Sequence, residues 1–417
     1  MRPEEINLCK IRLHHESCPL ENLEEKIQKE FSTISASIHP GMNIAVAVGS
    51  RGISNLDRIV RALIESLKHV GANPFIVPAM GSHGGATGEG QSKVLADYGI
   101  TAETMGAPIR SSMEVVALGK TDGPEKIPVW IDKNAMSADG IIAVNRVKPH
   151  TDFHGDYESG IVKMLTIGLG KQAQAMTVHR YGADGLRDYI PVIAKKMIES
   201  GKILAGVAIL EDGYDQTADV KIAPTEKIFE LDAEFLQRSR KLMARLPFSV
   251  IDTLVIDWMG KNISGTGMDT NIIGRLRIEG QPDGKPTCKR IVTLGLTKAS
   301  HGNALGVGLA DVVTRSLADT IDWKATYANI VTSGFLARGF LPVVMDTDQE
   351  AIALGLNTCC EQIPEKVRLV RIKDTLHLDE IYVSEPLLRE LEGRCNFELC
   401  SKLLPMRFTA SGKIEEF

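Results

Sequence analysis

The 417-residue chain has no CxxC pair: its seven cysteines, Cys9, Cys18, Cys288, Cys359, Cys360, Cys395 and Cys400, are scattered and odd in number. That pattern fits reduced thiols and argues against a disulfide framework. No apolar run reaches membrane-spanning length, and nothing apolar follows Met1-Arg2-Pro3-Glu4-Glu5. Neither a membrane span nor a targeting segment is expected, and the expected compartment is the cytoplasm. The chain also lacks a long basic run or any interleaving of basic and aromatic residues, and its net charge is −5. Nucleic acid is therefore not an expected partner. Repeats and low-complexity stretches are absent as well.

What the chain does have is enough hydrophobic residue, 43%, to fill full cores, and a length that suggests two domains. Residues up to about Pro40 are charged and mixed, with one helical pattern from Leu23 to Phe31. Apolar strands then alternate with amphipathic helices. Strands are expected at Ile44–Val48, Pro74–Pro78, Gly140–Val144 and Ile203–Leu210, with helices at about Leu56–Val70, Glu89–Tyr98, Leu186–Ser200 and Leu231–Leu246. A second set follows, with strands at Leu254–Asp257, Arg290–Leu294, Leu341–Met345, Val367–Ile372 and Glu380–Val383, and helices at about Gly308–Leu317 and Asp348–Leu356. The expected fold class is α/β: two α/β domains, 1–248 and 249–417, with a cleft between them.

Chemistry gathers at the ends of the first three strands. Gly49-Ser50-Arg51-Gly52 links a strand to a helix, where free amides favour an anion and Arg51 could add a bidentate clamp. His83 takes the corresponding place after the second strand, followed by Gly84 and Gly85. The third strand runs into Asn145–Tyr181, which holds His150, His154 and His179 with Asp152, Asp156, Glu158 and Lys163. Pro149 pushes Lys148 out of the helical region, so His150 opens a loop. Lys163 lies inside Ile161-Val162-Lys163-Met164-Leu165, where a desolvated amine loses its proton readily and becomes a nucleophile. Parallel strands would bring Arg51, His83 and His150 to one rim.

With Arg51, His83, His150, Ser159-Gly160-Ile161-Val162-Lys163 and His179 in this order, the chain resembles the lactate racemase family, most specifically from Ile44 to Gly182. The resemblance implies a racemase or epimerase of a 2-hydroxy acid. Its cofactor is a nickel-pincer nucleotide, pyridinium-3,5-bisthiocarboxylic acid mononucleotide with nickel, supplied by separate synthesis enzymes. By position, Lys163 would anchor the cofactor, His179 would ligate nickel, and Ser50 would help bind the cofactor. His83 and His150 would act as acid and base, while Arg51 and Lys298 would hold substrate. Hydride transfer to and from the cofactor would invert the stereocentre. The chain departs from the lactate racemase pattern in having Gly84-Gly85, where that enzyme has arginine, and in a longer acidic insert with His154. Both departures fit a larger or more polar 2-hydroxy acid.

Two other readings stay open on the residues themselves. His150 and His154 with Asp152 or Glu158 suit a zinc hydrolase, and the Arg51 turn suits a non-catalytic carrier of a nucleotide or phosphorylated metabolite. The loops at Ser264–Asn271 and around His301 can be read as ligand-lining or as plain turns. A homo-oligomer is allowed, and the sequence sets no oligomeric state.

Overall fold

The computed structural model describes residues 1–49 and 52–415, so Ser50 and Arg51 lie outside the described residues. The chain divides into two compact units, Glu16–Met243 and Met1–His15 with Ala244–Phe417. Strand β1 (Asn7–Leu13) opens the chain and belongs with the C-terminal segment, whereas the sequence reading places residues 1–248 together. Its partners explain why: it pairs with strands more than 360 residues away, a separation that local periodicity cannot reveal.

The Glu16–Met243 unit contains β2 (Asn43–Val48), β3 (Asn73–Pro78), β4 (Val115–Lys120), β5 (Pro128–Asp132), β6 (Gly140–Arg146), β7 (Ile203–Glu211) and β8 (Thr217–Pro224). Among the described residues five of these form one sheet in the order β3-β2-β6-β7-β8, parallel except for β8. β2 is Asn-Ile-Ala-Val-Ala-Val, and all but its first residue are buried. An unbroken run of this kind marks a parallel strand covered on both faces. The helix Leu56–His69 lays Leu56, Ile59, Val60, Leu63, Ile64 and Leu67 on one buried stripe. Each such side chain contributes about 1.5–3 kcal/mol when taken out of water. β4 and β5 form a separate hairpin that the sequence reading did not anticipate.

The other unit adds β9 (Val250–Met259), β10 (Thr287–Leu296), β11 (Val312–Thr314), β12 (Val343–Met345), β13 (Leu369–Ile372), β14 (Glu380–Ser384), β15 (Phe397–Leu399) and β16 (Leu404–Pro405). Its sheet runs β12-β11-β10-β9-β13-β14-β1-β15, with β16 beside β1. The helix expected at Gly308–Leu317 is instead mostly β11 and the single turn Arg315–Ala318. Val312-Val313-Thr314 is a β-branched, fully buried triplet paired in parallel with β10. A short apolar run of this kind cannot be assigned by periodicity alone. Among the described residues no helix is long and apolar enough to cross a membrane.

Candidate functional site

In the Glu16–Met243 unit, register brings the ends of three strands together. Val48 lies opposite both Pro78 and Val144. Just beyond, the Ala79 amide donates to the Val48 carbonyl at 2.8 Å and the Gly49 amide to the Val144 carbonyl at 3.2 Å. The loops after β2, β3 and β6 therefore leave one rim, the carboxyl edge where open α/β sheets bind ligands. His83 and His150 sit on two of these loops; Ser50 and Arg51 lie outside the described residues.

The loop carrying His150 is tied shut at its base and centred on one carboxylate. Lys148 and Ser159 form a two-way backbone bridge, at 2.7 and 3.1 Å, which keeps Lys148 extended as Pro149 requires. Inside it the buried Glu158 accepts from the His150 amide at 2.6 Å, the Gly155 amide at 3.1 Å and Arg240 Nη2 at 2.5 Å; His154 Nδ1 lies 3.3 Å away. Burial pushes the Glu158 pKa up, but His154, the His150 amide and Arg240 more than offset it, so the net direction is down. Glu158 and His154 thus brace the loop. Among the described residues no three His, Cys, Asp or Glu side chains gather as metal ligands, so the zinc reading of this loop finds no ligand set.

Lys163 ends a single helical turn, Ile161–Lys163, that continues as a π-helical stretch, Met164–Leu169. Wide turns of this type are rare and are frequently found at functional sites. The turn is capped by Asp232, fully buried in helix Ile228–Leu242, whose Oδ2 accepts from the Val162 amide at 2.6 Å. A side chain at Gly160 would land on that carboxylate, which explains the glycine of the Ser-Gly-x-x-Lys segment. Lys163 Nζ contacts His150 Nε2. The Asp152 amide donates to His150 Nδ1 at 3.0 Å, and Phe153 lies against the ring with centroids 4.6 Å apart.

His179 closes helix Lys171–His179, and its Nδ1 is buried without a hydrogen-bond partner among the described residues. Burial lowers the pKa of the ring, Lys163 lowers it further, and Asp152 acts the other way. His150, Lys163 and His179 therefore share one neighbourhood. His83 leaves the end of β3, its amide donating to the Met80 carbonyl at 3.1 Å. Lys298 is exposed in the other unit, at the turn Lys298–Ser300 after β10. Beside it, Thr297 Oγ1 donates to Asn262 Oδ1 at 2.6 Å, and the Lys261 amide to Ser300 Oγ at 2.9 Å. The Ser264–Asn271 loop is knit internally, Asp269 Oδ1 accepting from both the Asn271 amide and its side chain.

Asp232, Arg240, Lys171 and Gln91 were not legible as site residues. Only Asp232 leaves a sequence trace: it falls on the buried stripe Ile228, Leu231, Asp232, Phe235, Leu236 and Ser239, where an acid is out of place.

Residues 7–185 match the lactate racemase N-terminal domain. The lactate racemase apoprotein of Thermoanaerobacterium thermosaccharolyticum is a similar solved structure: 13% identity, 88% of this chain and 98% of that one covered, TM-score 0.51. A structural-genomics protein of Thermotoga maritima is also similar, at 17% identity over 67% of this chain and 71% of its own, TM-score 0.47. No curated protein matches the sequence. The α/β fold is thus that of the lactate racemase structure, and residues 7–185 are similar to the lactate racemase N-terminal domain.

Proposed function

We propose that the protein is a racemase or epimerase of a 2-hydroxy acid that works with a covalently attached nickel-pincer nucleotide. One observation carries the reading: His179 Nδ1 is a buried nitrogen with no hydrogen-bond partner among the described residues, beside Lys163, in a ring that burial keeps neutral. A neutral imidazole with an unused lone pair is a donor suited to nickel. A cofactor bringing the other ligands needs only this one from the chain, in keeping with the absence of a three-residue metal cluster among the described residues.

When bound, the nucleotide supplies an acceptor for the hydride on substrate C2. The rest falls to side chains. Lys163 would form the covalent link. Nδ1 of His150 accepts from the Asp152 amide and its Nε2 faces Lys163 Nζ, which attacks in its unprotonated form. His150 and His83 take and return the substrate hydroxyl proton, one for each hand of the substrate. Arg51 and Lys298 hold the carboxylate, and Ser50 helps bind the nucleotide. The acidic insert with His154 and the glycines after His83 favour a polar 2-hydroxy acid.

Protein made alongside the cofactor-synthesis enzymes should carry added mass on Lys163, and His179→Ala should lose nickel while keeping its fold. Substrate deuterated at C2 should give the opposite hand with most of its label retained. His83→Ala and His150→Ala should each slow turnover by on the order of a hundredfold. Rapid loss of label to water would rule out hydride transfer, and an unmodified Lys163 in active protein would rule out the covalent link.

A further inference from the structure

We propose that Lys171 and Gln91 are positioning residues for His83, holding its loop through a buried tripod. The inference rests on the assignment of His83 above. Lys171 is fully buried, and an unmatched charge there would cost several kcal/mol. Its charge is matched: Nζ donates to the Pro78 carbonyl at 2.5 Å and to Gln91 Oε1 at 2.9 Å, and the Asp132 carboxylate stands 3.1 Å away as its counter-ion. These partners come from three different elements: the end of β3, the helix Gly88–Asp97 and the end of β5.

Gln91 carries the grip onward. With its oxygen facing Lys171, its Nε2 donates to the Gly81 carbonyl at 2.9 Å and to the His83 carbonyl at 3.3 Å. Three carbonyls of the segment ending at His83, those of residues 78, 81 and 83, are thereby fixed to one cation. Gly84 then turns with φ +63°, and a side chain there would meet Gly90 C at 2.5 Å, so the loop lies directly on the backbone of the helix that carries Gln91. Lys171 itself holds φ +55°, a conformation that costs a lysine roughly 1 kcal/mol or more and persists only where its surroundings enforce it. Burial lowers the Lys171 pKa and raises that of Asp132, each partly offset by the other's charge. In sequence Lys171 stands midway between Lys163 and His179, so the same cation ties the His83 loop to the segment bearing both.

The test has two arms. In the apoprotein, carbethoxylation of each histidine by diethyl pyrocarbonate is mapped by mass spectrometry. Gln91→Leu should change the His83 rate by about threefold or more and leave the exposed His39 and His69 unchanged, as expected of a local displacement. Lys171→Met together with Asp132→Leu, which replaces the buried pair by apolar side chains, should do the same and guards against a misfolded single variant. An unchanged His83 rate in both folded variants overturns the proposal. In the cofactor-loaded enzyme, Gln91→Leu should lower kcat by about tenfold with KM within about twofold, and in the His83→Ala background it should add no more than about twofold. Equal losses in both backgrounds would mean a structural role only, and would overturn the proposal. A parent enzyme inactive on every 2-hydroxy acid would sink the functional reading instead, leaving the apoprotein arm to decide positioning.

Discussion

Glu158 and Asp232 are both buried carboxylates of the same unit, and both hold backbone amides beside the segment that carries His150 and Lys163. Burial pushes both pKa values up. For Glu158 the push is more than offset by His154, the His150 amide and Arg240, and the net direction is down. Asp232 is offset only by the Val162 and Ile161 amides, and rises to about 7. Burial alone does not decide whether such a carboxyl is charged; a cationic partner within reach does. The loop bearing His150 is thus fixed by an anion, while the turn bearing Lys163 is capped by a group that protonates near neutrality.

The largest effect is expected where the charge is matched. Glu158→Ala leaves the His150 and Gly155 amides without their carboxylate acceptor and removes the counter-charge of Arg240, which keeps its bond to the Gly155 carbonyl at 2.8 Å, and should cost about 2–4 kcal/mol in urea denaturation. A loss below about 1 kcal/mol would mean that the loop does not depend on its central carboxylate.

The two carboxyls should also give opposite pH slopes. Asp232 has a folded pKa above its ordinary 3.8, so the folded state holds a proton that the unfolded state has released. Its contribution to stability is present at low pH and falls by on the order of 3 to 4 kcal/mol as pH rises from about 4 through about 7. Glu158 is shifted down, so its contribution is present above its ordinary 4.5 and lost as pH falls. Denaturation midpoints across pH should show the neutral-range decline vanish in Asp232→Asn and the acid-range decline shrink in Glu158→Gln. Profiles matching wild type in both variants would erase the contrast.

A smaller step tests the cap by shape. Gly160→Ala puts a methyl group onto the Asp232 carboxylate and should cost about 1–3 kcal/mol, the usual range for overpacking. Hydrogen exchange at the Val162 amide should quicken with it. Unaltered exchange would mean that the cap can yield without releasing the turn.

These pairings also mark what was legible in the sequence. The β2, β3, β6 and β7 runs and the stripe of Leu56–His69 were readable, because a doubly covered parallel strand and an amphipathic helix leave local periodicities. His83 and His150 could be placed at strand ends for the same reason. Glu158 was visible as one acid in a loop, but its partner Arg240 is 82 residues away. Asp232 reaches Val162 across 70 residues and Lys171 reaches Gln91 across 80. Such contacts depend on which helix crosses which loop, and no local pattern encodes that. β1 was missed on the same ground, and the turn-rich segment around β11 because three residues are too few to show a period.

The smallest expected effect separates a brace from a bystander within the loop. His154 is about half exposed, 49% at the side chain, and faces Glu158 at 3.3 Å. Removing it leaves Glu158 with the His150 amide, the Gly155 amide and Arg240, so the carboxylate stays charged and held. An exposed partner contributes little because water competes for it, and His154→Ala should cost less than about 1 kcal/mol. Because His154 is among the groups holding the Glu158 pKa down, its loss should also move the acid-range decline to slightly higher pH. The neutral-range decline assigned to Asp232 should not move, since the causes of its shift are burial and the Val162 and Ile161 amides. A cost as large as that of Glu158→Ala would place the imidazole, not the guanidinium, at the centre of the loop's stability.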